Sequence, residues 1–309
     1  MKNFIIRKNF IGERLDKYLT VRMEITRSQI KKLINSNGVL VNKKVPSTHQ
    51  FLKPGDRIAI LGEEQRTEPE KLASNTRKIL EPQIIYDCED YFIINKPAGM
   101  LVHPTRRQEK NTLIDWLLKK YPALAKVGED PARPALVHRL DKEVSGLMII
   151  PRNLNSFDFF KAQFKQRTIK KEYLALVHGV LANEAGELTF PIARSKDGKF
   201  IAQPIGSEDG KSAITNYKIK KRFLHYTLLH VQPKTGRTNQ IRIHLNAITH
   251  PIVGDTLYTS RKVEQRSKLK LNRVFLHASR LIFIDMNGQE KVFEASLPKQ
   301  LTELLNNLT

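Results

Sequence analysis

The sequence is short of cysteine, of acid and of long apolar runs. Its one cysteine, Cys88, excludes an intrachain disulfide and a Cys-rich zinc site, and gives no sign of an oxidising compartment. No stretch reaches the roughly 18 uninterrupted apolar residues that a membrane-spanning helix needs. The basic start, Met1 to Lys8, meets further charge before any apolar run long enough for a secretory signal, so a cytoplasmic protein is expected. Only 31 Asp and Glu stand against 53 Lys and Arg, a formal net charge of +22. Such an excess favours a polyanionic partner. Nucleic acid is a better fit than anionic membrane, because the basic residues are spread through segments that also carry core periodicity and no lipidation motif is present. What remains is ordinary globular composition, 40% hydrophobic with 15 Gly and 15 Pro. At about 150 residues per domain, 309 residues suggest two folded units.

The first of these is expected over residues 1–62. Leu15, Tyr18 and Leu19 recur at helical spacing, and Thr26 with Gln29 forms a capping box that opens a second helix through Ile34. Asn37-Gly38 is a turn, Val39 to Asn42 a strand, and Lys53-Pro54-Gly55-Asp56 turns into a strand from Arg57 to Leu61. Arg27, Lys31 and Lys32 lie on the outer side of the second helix while Ile30, Leu33 and Ile34 face inward; a phosphate-binding surface and a merely solvated one are both compatible with that pattern. The residues Glu13 to Leu19, Thr26 to Ile34, Gly38 to Asn42 and Lys53 to Ile58 resemble the small αL RNA-binding domain that occurs in a ribosomal protein and in many RNA-modifying enzymes. The resemblance implies binding of structured RNA without chemistry.

Residues 63–82, rich in Glu, Gln, Lys, Ser and Asn, read as a solvated linker, which leaves 83–309 as the second domain. Strands are expected at Ile84 to Tyr86, Tyr91 to Ile94, Leu147 to Ile150, Glu172 to Val177, Ala213 to Ile219, Tyr226 to Val231 and Phe275 to Ile284. Helices fit Thr112 to Tyr121 with Asn111 as cap, Ser156 to Gln166, Asn239 to Ile248 and a terminal segment from Pro298. The hairpin-like spacing predicts an α+β fold, a largely antiparallel mixed sheet flanked by helices, after a small N-terminal α/β domain.

Two motif lookalikes carry no function. Gly206 to Ser212 mimics a phosphate loop but is one residue short between its glycines, and Ser28 to Lys31 with Lys234-Thr235-Gly236 superficially matches a penicillin-recognising enzyme whose Ser-Asp-Asn element is missing. No GxGxxG follows a predicted strand and no HExxH occurs, so the sequence gives no support for a nucleotide cofactor or a metal.

Two dense polar stretches remain. In the first, Val137 to Leu147, Asp141 stands between Arg139 and Lys142 in a turn before an apolar strand. Neighbouring positive charge would keep its carboxylate ionised, as a nucleophile or base requires, although an Asp in such a turn also serves as a cap or a salt-bridge partner. In the second, Lys234 to Leu245, a turn runs into a helix whose Ile241, Leu245 and Ile248 form an apolar stripe, leaving Arg242 on another side, where it could face a carboxylate.

Taken together, these residues closely resemble the RluA-type family of RNA pseudouridine synthases. The matching motifs are Ile94 to Gly99 with Val102-His103-Pro104, His138-Arg139-Leu140-Asp141 with Ser145-Gly146, and Lys171-Glu172-Tyr173-Leu174-Ala175. Gly236-Arg237-Thr238 to Gln240-Ile241-Arg242, His250-Pro251-Ile252 to Gly254-Asp255 and Tyr258, and Leu276-His277-Ala278 complete the set, in order, over residues 83–297. The resemblance implies the pseudouridine synthase fold and an isomerase that detaches uracil from a ribose of RNA, rotates it and rejoins it through carbon five, with no cofactor. Asp141 matches the catalytic aspartate, Arg242 the arginine that pairs with it, and Tyr173 the ring that packs on the base. Arg139 matches a residue that fills the space left by an extruded base or holds a phosphate, and His138 and Arg237 are expected to contact RNA beside it. Val144 and Asn239 replace the family's usual Thr and His, which would retune packing or hydrogen bonding around the site. The paired domains further imply large-subunit ribosomal RNA as the substrate, acted on by a monomer without a required protein partner or membrane. The alternatives are a noncatalytic RNA-binding ribosome-assembly factor and an RNA methyltransferase, which would require a methyl donor.

Overall fold

A computed structural model of the chain describes residues 2–7, 12–35, 37–47, 50–61, 81–105, 109–195, 197–267 and 269–308. They fall into two units, Met1–Lys78 and Ile79–Thr309. Most of the expected linker, 63–80, lies outside the described residues.

In the first unit, β1 (Lys2–Ile5), α1 (Leu15–Met23), α2 (Arg27–Asn35), β2 (Val39–Val41) and β3 (Arg57–Ile60) follow in order, and the strands form an antiparallel sheet ordered β1-β3-β2. Leu15, Tyr18 and Leu19 of α1 bury against Ile30 and Ile34 of α2 and against Val39, Val41 and Ile58 of the sheet. The capping box forms as expected: the Thr26 amide donates to Gln29 Oε1 at 2.8 Å and the Gln29 amide to Thr26 Oγ1 at 3.3 Å. Asp56 fixes the turn before β3 by accepting from the Lys53 amide and from Asn42 Nδ2, each at 2.8 Å. Only β1 lies outside the sequence expectation. The outward side of α2 carries Arg27, Lys31 and Lys32, all exposed. Arg27 is partly committed within the unit, its Nε 3.7 Å from the buried Asp16 carboxylate.

The second unit opens with β4 (Gln83–Asp87), β5 (Tyr91–Lys96), α3 (Leu113–Lys120), a 3-10 turn (Pro122–Lys126), β6 (Ser145–Pro151), α4 (Leu154–Gln166) and β7 (Lys170–His178). It continues through β8 (Ala185–Leu188), β9 (Ile192–Arg194), β10 (Phe200–Ala202), β11 (Thr215–Arg222), β12 (Tyr226–Pro233) and α5 (Gln240–Ala247). Last come α6 (Arg261–Arg266), β13 (Leu276–Ile284), β14 (Glu290–Glu294) and α7 (Lys299–Asn306). Eight strands run β4-β5-β6-β13-β7-β12-β11-β8, with β14 added beside β13, and β9 pairs with β10 in a separate hairpin. The large sheet is antiparallel except where β6 meets β13. Alternate residues of β5 enter opposite cores: Phe92 and Ile94 join one with Met148 and Tyr173, while Tyr91 and Ile93 join the other with Phe160 of α4. Strands buried on both faces carry no polar alternation, which is why β5 and β6 read as plain apolar runs.

The α+β architecture is as expected, with one local correction. Asn111 does not cap α3; it sits one residue earlier in a left-handed conformation with φ of 63°. Thr112 is the cap, accepting from the Asp115 amide while Asp115 accepts from the Thr112 amide, so a capping box with Asp in place of Glu was the signal.

Gly146 is indispensable to the parallel pair. Its φ is +123°, and a Cβ there would lie 2.3 Å from the Ala278 oxygen and 2.5 Å from its nitrogen. Gly146→Ala is expected to destabilise the fold by about 3 kcal/mol or more, read as a lower denaturant midpoint with an unchanged m-value.

Candidate active site

The turn from His138 to Val144 joins the sheet through β6, and buried side chains pin it at intervals. Leu140 and Val144 sink into the main core, and the Val144 amide donates to the Asp141 carbonyl at 3.1 Å. Lys96 holds the turn from beneath. Fully buried, its Nζ donates to the carbonyls of Pro97 and Met100 at 2.9 Å and of Lys142 at 3.4 Å. Burial, with help from Arg273, pushes the Lys96 ammonium down to about 7, against the pull of Asp141 and Glu143. The Gly99 amide adds a bond to the Lys142 carbonyl at 2.8 Å.

His138 does not serve as expected. Its Nε2 accepts from the Ile149 amide at 3.0 Å, its ring stacks on Phe164 at 4.6 Å, and burial followed by the Lys171 charge drives it down to about 3. It is a neutral peg between the turn and β6, its Nε2 occupied by the protein and its Nδ1 buried without a partner among the described residues, and it does not line the cleft. Arg139, by contrast, is exposed at the cleft, one N–H donated to His103 Nε2 at 2.9 Å while His103 Nδ1 bonds the Pro104 carbonyl at 2.8 Å.

Between these pins the Asp141 carboxylate reaches a cleft of about 110 Å³, its side chain 22% exposed. Arg242 Nη1 stands 3.8 Å away. That guanidinium is held more tightly by another acid: Nε and Nη2 grip the two oxygens of Asp255 at 2.7 and 2.8 Å. Asp255 is buried, and its Oδ1 also accepts from the amides of Leu257 and Tyr258. The free edge, Nη1, donates to Asn239 Oδ1 at 3.1 Å, Asn239 Nδ2 donates to Tyr258 Oη at 3.0 Å, and the guanidinium lies over the Tyr258 ring. Three side chains, Asp255, Asn239 and Tyr258, thus fix the plane of Arg242 and leave Nη1 3.8 Å from Asp141. A bidentate fork of this kind is specific to arginine; lysine could not make both bonds.

Asn239 therefore touches the arginine directly, and Val144 is simply core. The helix that presents Arg242 starts rigidly, because Gln240 uses its whole amide: Oε1 accepts from Thr235 Oγ1 and the Arg237 amide, and Nε2 donates to the Ile214 carbonyl and Thr215 Oγ1. Arg237 lies at the lip with Nε on the Ser212 carbonyl. Tyr173 lines the same cleft from β7, 7% exposed. Burial and the Asp141 charge raise its hydroxyl above the ordinary tyrosine range, so it remains a neutral ring. Asp141, Tyr173, Arg242, Arg139 and Arg237 are thus brought together, whereas Arg27, Lys31 and Lys32 belong to the other unit. Asp255, Lys96, Gln240 and Lys171 escaped sequence reasoning as working parts. Asp255 stands in a motif already recognised, but nothing near it in the chain shows that its partner is Arg242.

The surroundings of Asp141 add burial to the neighbouring charges visible in the sequence. Burial, the largest influence, together with repulsion from Asp255, raises its carboxyl above the ordinary aspartate range against the lowering effect of Arg242, Arg139 and Lys96. If the carboxylate is the working form, activity falls on acidification as it takes up a proton. The acid limb of kcat/KM then lies above about 3.9, the ordinary aspartate value. Arg242→Met removes the largest opposing charge and is expected to move that limb to still higher pH. A limb below the ordinary value, or one unmoved by the substitution, would contradict this electrostatic account.

A cleft holding an acid faced by a fixed arginine, in a chain of net charge +22, suits chemistry on a polyanionic substrate. Residues 90–247 match the model of the RNA pseudouridylate synthase family, and residues 13–58 match that of the S4 domain. The chain belongs to the RNA pseudouridine synthases, with an N-terminal S4 RNA-binding domain. It is 33% identical over 302 residues to "Uncharacterized RNA pseudouridine synthase YlyB" of Bacillus subtilis, covering 96% of this chain and 94% of that protein. It is 33% identical to "Ribosomal large subunit pseudouridine synthase D" of Escherichia coli, covering 97% of this chain and 92% of that one. The solved structure of "Human RNA Pseudouridylate Synthase Domain Containing 1" superposes with a TM-score of 0.57 at 25% identity, covering 72% of this chain and 84% of that one. The protein is accordingly an isomerase of RNA.

Proposed function

We propose that this enzyme converts uridines of large-subunit ribosomal RNA to pseudouridine, with Asp141 as the catalytic carboxylate. One observation carries the assignment of the site: Asp141 reaches the cleft beside a guanidinium whose other contacts are all made within the protein, so the charge facing it is fixed before substrate arrives. Such preorganisation favours charge developing on the reacting atoms without reorganisation at the moment of reaction.

The chemistry balances without a co-reactant. The N1–C1′ bond breaks, a C5–C1′ bond forms, C5 loses a proton and N1 of the rotated base carries one. Asp141 acts on the ribose, as nucleophile at C1′ or as base toward the neighbouring C2′ proton, and both routes begin from the same ionised carboxylate. Tyr173, neutral and rigid in β7, packs on the uracil. A duplex would bury that base, so the nucleotide must leave its stack, and Arg139 at the cleft mouth either fills the vacancy or holds a phosphate. Arg237 contacts RNA at the lip, while Arg27, Lys31 and Lys32 neutralise phosphates from the S4 domain. Every group assigned to the reaction comes from residues 79–309 of one chain, so the reading needs no second copy. The ribosomal substrate is supported by the relatives whose names specify the large subunit, which match over nearly their whole length.

The test is release of tritium from C5-labelled uridines in an unmodified large-subunit ribosomal RNA transcript, with purified protein and no added small molecule. Release at discrete uridines is expected. Release from transfer RNA but not from this transcript would overturn the substrate.

A further inference from the structure

Lys171 lines the cleft from β7, two residues before Tyr173, and is not needed by the chemistry above. Its ammonium has no carboxylate within ion-pair distance among the described residues. Nζ lies 5.6 Å from the centre of the Phe164 ring, and a Cβ at Gly236 would be 3.9 Å from it, so the head group is confined between an aromatic ring and the turn leading to Arg242. The adjacent Glu172 does not serve it; that carboxylate stands 3.8 Å from Arg280 instead. Burial alone lowers the Lys171 ammonium below the ordinary lysine range, with no compensating acid.

An ammonium partly withdrawn from water, with an aromatic ring but no acid beside it, is poorly compensated, and at the wall of a binding cleft it is left to be satisfied by what enters. In an RNA enzyme the entering anion is a phosphate. Arg139 is exposed at the cleft, whereas Lys171 is only partly exposed on its wall, two residues from Tyr173, within reach of the backbone of a nucleotide held there. Resting on the reading that a uridine is held over Asp141, we propose that Lys171 binds the backbone phosphate flanking that nucleotide. Lys171 is thus a substrate-positioning cation that anchors the strand while the base is turned.

The experiment compares Lys171→Met, Lys171→Gln and Lys171→Arg in the full chain on the large-subunit transcript. For Met and Gln alike, KM is expected to rise about tenfold with kcat within about threefold. Filter binding should show a log K against log salt slope shallower by about 0.7, while Arg restores both readouts. Because the lost ammonium was unpaired in the free enzyme, Lys171→Met should melt no lower than the unsubstituted protein. An unchanged salt slope, a Gln variant as good as Lys, or a marked loss of melting temperature in Lys171→Met would each overturn the proposal. Failure of the broader reading is distinguishable, because it appears as an unsubstituted protein that binds the transcript but converts no uridine, whereas the salt slope reports on Lys171 without turnover.

Discussion

Asp141→Asn is expected to lower the rate of pseudouridine formation by about 10⁴-fold or more while leaving RNA affinity within about threefold. The substitution keeps the size and shape of the side chain and removes the one charge that both chemical routes require. A positioned carboxylate acting as base or nucleophile accounts for factors of that size. Affinity should survive because it resides elsewhere, in the cations at the cleft lip and on α2, which make phosphate contacts independent of the reaction. Fold stability should also survive: the Asp141 side chain is partly exposed and its arginine is already satisfied by Asp255. Single-turnover assays with saturating enzyme separate the two readouts. A variant that converts uridine at an undiminished rate would show that another group performs the chemistry.

The second large effect belongs to a residue that reaches no substrate. Asp255→Asn removes the anion that grips two nitrogens of Arg242 and leaves a buried guanidinium without its principal partner. Breaking a buried pair from one side destabilises by about 3 kcal/mol or more, because the remaining charge is uncompensated. The arginine is then free to swing, and a displacement of about 1 Å in a positioning group can lower kcat about 10²-fold. The expectation is a lower melting temperature together with a fall in kcat at temperatures where the variant remains folded, with KM little changed. A purely structural Asp255 would lower melting alone, leaving kcat intact under folded conditions. Arg242→Lys should show a similar kcat loss, since an ammonium cannot bridge both carboxylate oxygens.

How far these parts could be read beforehand differs by residue. Helix α2 was legible because period and capping residues agree, α4 from its period alone, without its Asn153 cap, and β5, β6 and β7 because apolar runs bounded by polar turns have few other uses. The strands β8, β9, β10 and β14 were not, being short and only partly buried, so their sequences carry little alternation; β1 was missed as well. At the site, Asp141, Tyr173 and Arg242 emerged from motifs, and the structure gathers them in one cleft. The Asp255 clamp, the Lys96 peg and the inward posture of His138 did not emerge. Each depends on contacts between distant segments: Lys96 is joined to the Lys142 carbonyl, and His138 to the Ile149 amide. The effect of burial on Asp141 escaped for a related reason. Adjacent cations are visible in a sequence, while the depth at which a carboxylate sits is not, and here depth outweighs charge.

The most direct measurement maps pseudouridine across the large-subunit ribosomal RNA of cells that lack this gene, complemented either with the unsubstituted protein or with Asp141→Asn at equal abundance. Loss of discrete pseudouridines, restored by the former and left as uridine by the latter, is the predicted result. Restoration by the Asp141→Asn protein, or an unaltered map when the gene is absent, would contradict the account.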